Sequence, residues 1–103
     1  MSRPLTILVC THNRADLLRG ALESLERQSL ARSRFEVLVV DNASTDATSA
    51  VVAKCAARDR IDIRSVREEE LGLDAARNRG IREAAGDIVA FLDDDARARD
   101  DWA

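Results

Sequence analysis

The chain has 103 residues, 46% of them hydrophobic, and a formal net charge of -3. This length suits one domain over residues 1–103, and the acidic balance argues against nucleic-acid binding. No apolar run is long enough to span a bilayer and the start lacks a secretory leader pattern, so we expect a cytoplasmic protein, free or peripheral to the inner face of the membrane. Cys10 and Cys55 have neither metal-site nor redox spacing, and we expect both to be reduced thiols.

Short apolar runs alternate with longer amphipathic stretches along the chain. The apolar runs predict strands, and apolar positions at helical spacing predict helices with one buried stripe. In chain order, the sequence predicts a strand at 5–10, a helix at 16–28, a strand at 35–40, a helix at 46–57, a strand at 61–66, a helix at 73–85 and a strand at 87–92.

Signals at the helix ends and along the third helix add detail. We expect Ser44 or Thr45 to cap the second helix, and Gly86 to take the left-handed position after the third. Helical spacing predicts an inward-facing set on the third helix, consisting of Leu73, Ala76, Gly80, Ile81 and Ala84.

The order β-α-β-α-β-α-β predicts a Rossmann-like, three-layer α/β/α fold with a parallel sheet. Right-handed crossovers are satisfied by the strand order 3-2-1-4, which puts a switch point between the first and fourth strands. Ligands bind beyond the carboxyl ends of strands at such a point. Polar segments 10–14, 41–44 and 93–95 follow three strands, so we expect them to converge on one rim.

Three consecutive aspartates, Asp93 to Asp95, follow the fourth strand. In an extended segment Asp93 and Asp95 would share a face about 7 Å apart. Two unit charges at that distance repel by roughly 2 kcal/mol at an effective dielectric near 20. Mg2+ or Mn2+, which prefer oxygen ligands, would offset this repulsion.

A structural alternative exists for the same residues. If a helix began here, Asp93 and Asp95 would form i,i+4 ion pairs with Arg97 and Arg99, each worth about 0.2–0.5 kcal/mol. The position after an apolar strand, opposite two other polar strand ends, favours the metal site.

Several longer segments together resemble a known family. These are TILVCTHNRADLLRGALESLERQ, FEVLVVDNASTDAT and GLDAARNRGIREAAGDIVAFLDDD, in that order. The chain resembles the N-terminal part of the family 2 glycosyltransferases, which have the GT-A fold. The resemblance implies transfer of a sugar from a UDP- or GDP-sugar to an acceptor, with Mn2+ or Mg2+ as cofactor, in a setting such as cell-envelope polysaccharide assembly.

The resemblance also implies roles for particular residues. Asp93 and Asp95 match the DXD metal and diphosphate motif, and the adjacent Asp94 is included in the donor site. Asp41 matches an aspartate that contacts the base or ribose, whereas Asn42 stands where many members have a second aspartate.

The loop after the first strand and the third helix contribute the other implied donor contacts. Thr11, Asn13 and Arg14 match the loop, and Arg77 and Asn78 match an ARN motif. Local roles are open for these residues: a turn at Asn13, a solvated helix start at Arg14, and packing or pairing within the helix for Arg77 and Asn78. Asp41, Ser44 and Thr45 have turn and helix-cap roles as their alternative, and His12 is taken as a loop residue and not as a base.

The family's domain continues beyond the acidic motif, and its later half carries the acceptor site and, in inverting enzymes, the general base. No residue of this chain is assigned to that base. We therefore expect the donor-binding half of a GT-A domain, truncated and inactive in transfer when isolated. Its fourth strand would lack a neighbour, and an open edge predicts self-association.

Other classes of protein are compatible with part of the pattern. A non-catalytic nucleotide-binding or interaction module is the main alternative. A phospho-acceptor receiver domain requires an acidic pair after the first strand, where this chain has CTHNR. A dinucleotide oxidoreductase requires a glycine-rich turn at the same place, and none follows the first strand.

Overall fold

The structure is a computed structural model and describes residues 4–99 and 102. Apolar runs form the strands and amphipathic stretches form the helices, as their periodicity requires. The strands are β1 (Leu5–Thr11), β2 (Phe35–Asn42), β3 (Ile63–Glu68) and β4 (Ile88–Phe91). The helices are α1 (Ala15–Glu26), α2 (Thr48–Ala57) and α3 (Leu73–Glu83), with a 3-10 turn at Arg32–Arg34 before β2.

The four strands form one parallel sheet in the order β3-β2-β1-β4. This confirms the predicted strand order and the α/β fold class. In the register, Leu5 lies between Phe35 and Ile88, and Thr11 pairs with Asp41. The carboxyl ends of β1 and β2 therefore stop at the same level, and the polar loops that follow them start side by side.

Alternation along the central strands sends side chains into two separate cores. One face of β1 and β2 packs with α1 and α2, and the other face packs with α3. The first core includes Ile7, Val9, Leu22, Val37 and Val52, and the second consists of Leu8, Leu38, Val40 and Ala76. Burial on both faces explains why these strands are nearly continuous apolar runs.

The inward face of α3 is narrower than the spacing predicts. Ala76 and Gly80 are buried, but Leu73 and Ile81 are 55% and 54% exposed, so their predicted inward orientation is wrong. A Cβ on Gly80 would lie 2.4 Å from Leu8 Cδ1, which shows how closely the helix axis approaches β1. Contact through small residues leaves the larger side chains at the flanks of the helix.

Two predicted helix-end signals also differ. Gly86 does not have a positive φ, and a Cβ there would instead lie 2.7 Å from the Thr6 nitrogen, so close backbone approach accounts for this glycine. Helix α2 starts at Thr48, whose amide donates to the Asp46 carboxylate at 3.0 Å, so neither Ser44 nor Thr45 caps it. A hydrogen bond from the Thr48 hydroxyl is the main factor that lowers the pKa of Asp46.

Candidate functional site

A cavity of about 450 Å³ opens at the carboxyl ends of β1, β2 and β4, against the first turns of α3. This is the switch point at which the strand order predicts a ligand site. Seven of the sequence-predicted site residues line the cavity, namely Thr11, Arg14, Asn42, Arg77, Asp93, Asp94 and Asp95. Asn13, Asp41 and Asn78 are not among the lining residues.

Asp94 joins the acidic triplet to the loop after β1. Its carboxylate is buried and accepts hydrogen bonds from Thr11 Oγ1 at 2.9 Å and from Arg14 Nη1 at 3.2 Å. Arg14 also lies 3.7 Å from the Asp95 carboxylate. Two loops more than 80 residues apart in sequence are thus held together by charge-assisted hydrogen bonds.

The triplet itself is a turn and not an extended segment. The Ala96 amide donates to the Asp93 carbonyl at 3.0 Å, and no helix begins among the described residues that follow β4. The expected placement of Asp93 and Asp95 on one strand face is therefore wrong. Instead, the turn buries Asp94 and leaves Asp93 and Asp95 exposed, because turns do not keep the alternation of a strand.

The loop after β2 is built around Asp41. Its carboxylate accepts from the Ser44 amide at 3.0 Å and lies 3.5 Å from Arg67 Nη1, which also donates to the Ser44 carbonyl at 3.1 Å. The turn-forming role that the sequence left open for Asp41 is therefore present. The contact of Asp41 with a base or ribose stays a prediction.

His12 is a cavity residue to which sequence reasoning gave no role in the site. Its Nδ1 lies 2.6 Å from the main-chain carbonyl oxygen of Asn42 and must donate to it, which in the neutral imidazole leaves Nε2 to accept from Asn13 Nδ2 at 3.3 Å. Asn13 Oδ1 in turn accepts from the Thr45 amide at 2.7 Å. This chain of hydrogen bonds joins the loops after β1 and β2, and the adjacency of His12 to Thr11 was the available signal.

Helix α3 supplies the wall opposite these loops. Its Arg77 guanidinium carbon lies 5.9 Å from the centre of the Phe91 ring, within reach of a cation–π interaction. Leu73 and Ala76 line the cavity beside it, whereas Asn78 is exposed elsewhere on the helix. The wall thus combines an apolar surface with one guanidinium, which suits an aromatic or anionic ligand.

Cys10 lines the cavity at the end of β1 and is a free thiol, as is Cys55. Burial raises the pKa of the Cys10 thiol; the nearby Arg77 charge opposes this rise and the Asp94 charge adds to it. A thiol with a raised pKa remains protonated at neutral pH and is a poor nucleophile. Cys10 therefore forms part of the cavity wall as a protonated thiol.

The donor atoms at the rim fit a hard divalent cation that also binds a ligand. Asp93 and Asp95 present exposed carboxylates to the cavity. Within residues 4–99 and 102, no three His, Cys, Asp or Glu side chains form a complete metal-binding group. Mg2+ and Mn2+ commonly take one or two carboxylates and complete their shell with substrate phosphates and water, and these donors match that need.

Comparison with known proteins gives consistent results. The sequence profile of Glycosyl transferase family 2 matches residues 6–103. Glycosyltransferase AglE of Haloferax volcanii is 35% identical over 98 residues, which are 94% of this chain and 32% of that protein. Validoxylamine A glucosyltransferase of Streptomyces hygroscopicus is 44% identical over 91 residues, which are 86% of this chain and 21% of the relative.

Solved structures share the fold over nearly the whole chain. The mannosyltransferase PcManGT of Pyrobaculum calidifontis, in complex with GDP-Man and Mn2+, has a TM-score of 0.86 and 36% identity over 97% of this chain and 30% of its own. TarS 1-349 of Staphylococcus aureus, in complex with UDP-GlcNAc, has a TM-score of 0.85 and 31% identity over 93% of this chain and 28% of its own. The chain thus spans about a third or less of these relatives.

Proposed function

The chain belongs to glycosyl transferase family 2, and we propose that it forms the donor-binding half of a GT-A domain that transfers sugar from a nucleotide-diphosphate sugar. The observation that carries the proposal is the junction of Thr11, Arg14 and Asp94 at the switch point. It places the flanking carboxylates of Asp93 and Asp95 on a cavity with space for a nucleotide. The GDP-Man bound by PcManGT and the UDP-GlcNAc bound by TarS support this ligand class.

Each side chain of the rim has a physically reasonable part in this proposal. Arg14 and Arg77 supply positive charge to a diphosphate, and a guanidinium binds phosphate oxygens through paired N–H groups. Thr11 holds Asp94 in place by its hydroxyl hydrogen bond. Asp41, Asn13 and Asn78 do not line the cavity, and a donor contact by each of them stays a prediction.

Asp93 and Asp95 are the residues that would hold Mn2+ or Mg2+ together with the donor diphosphate. A bound divalent cation would supply charge stabilisation to the leaving nucleoside diphosphate. The Mn2+ in the PcManGT complex supports this choice of cofactor. Asp94 is less available as a ligand, because both of its oxygens already accept hydrogen bonds.

Binding of UDP and GDP, measured by calorimetry with and without Mn2+, tests the proposal. The expected result is binding that requires Mn2+ and is lost in Asp95→Ala. Asp16→Ala is a matched control for the loss of one negative charge, because the Asp16 side chain is 97% exposed in the first turn of α1 and does not line the cavity. Failure of both nucleotides to bind with Mn2+ present would contradict the proposal, whereas binding without the metal would contradict the cofactor assignment alone.

The acceptor and the place of action belong to the same proposal. TarS is a poly(ribitol-phosphate) beta-N-acetylglucosaminyltransferase, which supports a cell-envelope polymer as acceptor. None of the helices among the described residues is long and apolar enough to cross a membrane. We place the activity in the cytoplasm or at the inner face of the membrane, because nucleotide sugars are available there as substrates.

The outer edge of β4 supports self-association of the chain. The Ile88 amide donates to the Pro4 carbonyl just before β1 and the Leu92 amide to the Leu8 carbonyl in β1, so alternation directs the Val89 and Phe91 amides to the opposite, outer side. Ile88 is 63% exposed at this edge. A second copy fits it best, since antiparallel pairing of β4 with β4 satisfies the same amides and covers the same apolar side chains on both partners.

A further inference from the structure

Asn42 is buried at the end of β2, and its side-chain amide is hydrogen-bonded to the last residue of β3 and to the loop between β3 and α3. Nδ2 donates to the carbonyl oxygens of Glu68 at 3.0 Å and Glu70 at 2.8 Å, and Oδ1 accepts from the Gly72 amide at 2.9 Å. A carboxamide has two donor hydrogens and two acceptor lone pairs. Both donors and one lone pair are in use, so the Asn42 side chain has little capacity left to bind a nucleotide.

The same residue is bonded to the other side of the cavity. Its main-chain carbonyl oxygen, which any residue at this position would supply, accepts from His12 Nδ1 at 2.6 Å, and His12 lies in the loop after β1. Gly72 directly precedes α3, whose Leu73 and Arg77 form the opposite wall. Asn42 therefore connects two walls that are otherwise carried by separate elements.

We propose that Asn42 is a positioning residue that sets the spacing between the loop after β1 and the α3 wall of the nucleotide cavity. This inference rests on the proposed function, because it assigns the cavity to a nucleotide. In this chain an ionised aspartate at position 42 could not donate the same hydrogen bonds. Its carboxylate would face the Glu68 and Glu70 carbonyl oxygens, acceptor against acceptor, and only its protonated form could donate to one of them.

Because aspartate can donate a hydrogen bond only when it is protonated, the effect of Asn42→Asp should depend on pH, which would not be expected if Asn42 only filled space. Asn42→Asp should weaken binding of UDP with Mn2+ about tenfold or more at pH 8, because the part-buried carbonyl oxygens of Glu68 and Glu70 lose their hydrogen-bond donor and the loop between β3 and α3 shifts. At pH 5.5 part of the loss should be recovered relative to wild type at the same pH. Asn42→Ala, which cannot regain a donor, should remain weakened at both pH values.

Neighbouring groups that also titrate are controlled by measurement in parallel. The charged or titratable groups around Asn42 are His12, Asp41, Arg67, Glu68 and Glu70, and all are retained in the wild-type reference. Ser33→Asp adds the same charge in the 3-10 turn before β2 and should leave binding unchanged. If Asn42→Asp does not fold at pH 8, Asn42→Ser, whose hydroxyl can donate one hydrogen bond, should bind with intermediate affinity.

Hydrogen exchange of the Gly72 amide separates this inference from the proposed function. Exchange at Gly72 should be faster in Asn42→Ala, which removes the Oδ1 acceptor of this amide, than in wild type, with no nucleotide present. Unchanged exchange in Asn42→Ala, or wild-type affinity in Asn42→Asp, would overturn the positioning role. If exchange at Gly72 accelerates but the wild-type protein binds no nucleotide, the connection between the loops stands and the assignment to a nucleotide cavity fails.

Discussion

Replacement of Asp94 by alanine should destabilise the fold, although Asp94 belongs to an acidic cluster. Asp94 is 8% exposed, and its carboxylate accepts hydrogen bonds from Thr11, which is 3% exposed, and from Arg14. Removal leaves the Thr11 hydroxyl buried without its acceptor, which costs about 1–3 kcal/mol. The pair with the half-exposed Arg14 adds at most about 1 kcal/mol.

The expected total is a loss of about 2 kcal/mol in the free energy of unfolding, or about 10 °C in Tm for a domain of this size. Removing one of three neighbouring negative charges also relieves some repulsion. Asp95→Ala gives the same relief without the buried hydrogen bond, since Asp95 is exposed, and it should change stability by no more than about 0.5 kcal/mol.

Urea unfolding of Asp94→Ala, Asp95→Ala, Thr11→Val and the double variant Thr11→Val/Asp94→Ala measures these differences. The double variant should show a coupling of about 1 kcal/mol or more between Thr11 and Asp94, because each side chain satisfies the other. Equal losses in the two aspartate variants, or additive effects of Thr11→Val and Asp94→Ala, would refute the assignment of Asp94 as the structural member of the triplet.

Three further changes test the fold and its surfaces. Burial alone would raise the pKa of Glu36, but hydrogen bonds from Arg64, the Ala85 amide and Thr6 outweigh it and lower the pKa. The stability that these hydrogen bonds contribute is present at neutral pH and is lost as pH falls below the ordinary pKa of 4.5. Glu36→Gln should therefore have a lower free energy of unfolding than wild type at pH 7, and in urea unfolding its free energy should fall less steeply with pH below 4.5. An equally steep fall in both proteins would contradict this. Gly80→Ala should lower the free energy of unfolding by about 1–3 kcal/mol, because its Cβ would lie 2.4 Å from the buried Leu8 side chain. Gly20→Ala should lower it less, because its Cβ would meet only the flexible end of the Arg97 side chain. A larger loss in Gly20→Ala than in Gly80→Ala, measured by thermal unfolding, would be inconsistent with this packing. Sedimentation velocity should show dimers at high concentration that Ile88→Lys returns to monomers, and a wild-type chain that stays monomeric would rule out pairing through β4.

The elements and their arrangement could be predicted because each rests on local periodicity. Nearly continuous apolar runs identified the central strands, and right-handed crossovers then limited the strand order. Parallel strands end at a common edge, so the convergence of segments 10–14, 41–44 and 93–95 on one rim followed from topology. The particular hydrogen bond between Thr11 and Asp94, 83 positions apart, was not predicted.

Details of the site could not be predicted because they depend on tertiary hydrogen bonds. Asn42 is bonded to residues 26 to 30 positions away, and nothing in its immediate sequence indicates those partners. Residues 93–95 form a turn and not the predicted extended segment. The turn therefore decides which of the three aspartates is buried, and strand alternation does not. Helical spacing predicted Leu73 and Ile81 to face inward. Spacing alone does not indicate that α3 contacts the sheet through Ala76 and Gly80.

The central claim is that a metal-bound nucleotide sits at the carboxyl edge of the sheet, and broadening of backbone amide signals by Mn2+ in the presence of UDP measures that position directly. The strongest broadening is expected on Thr11, Arg14 and the Asp93–Asp95 turn, and Asp95→Asn should abolish it. A second, smaller cavity of about 200 Å³ is lined by Glu36, Asp59 and Asp62, away from these residues. Broadening centred on that cavity, or spread evenly over the surface, would be incompatible with a metal-bound nucleotide at the carboxyl edge.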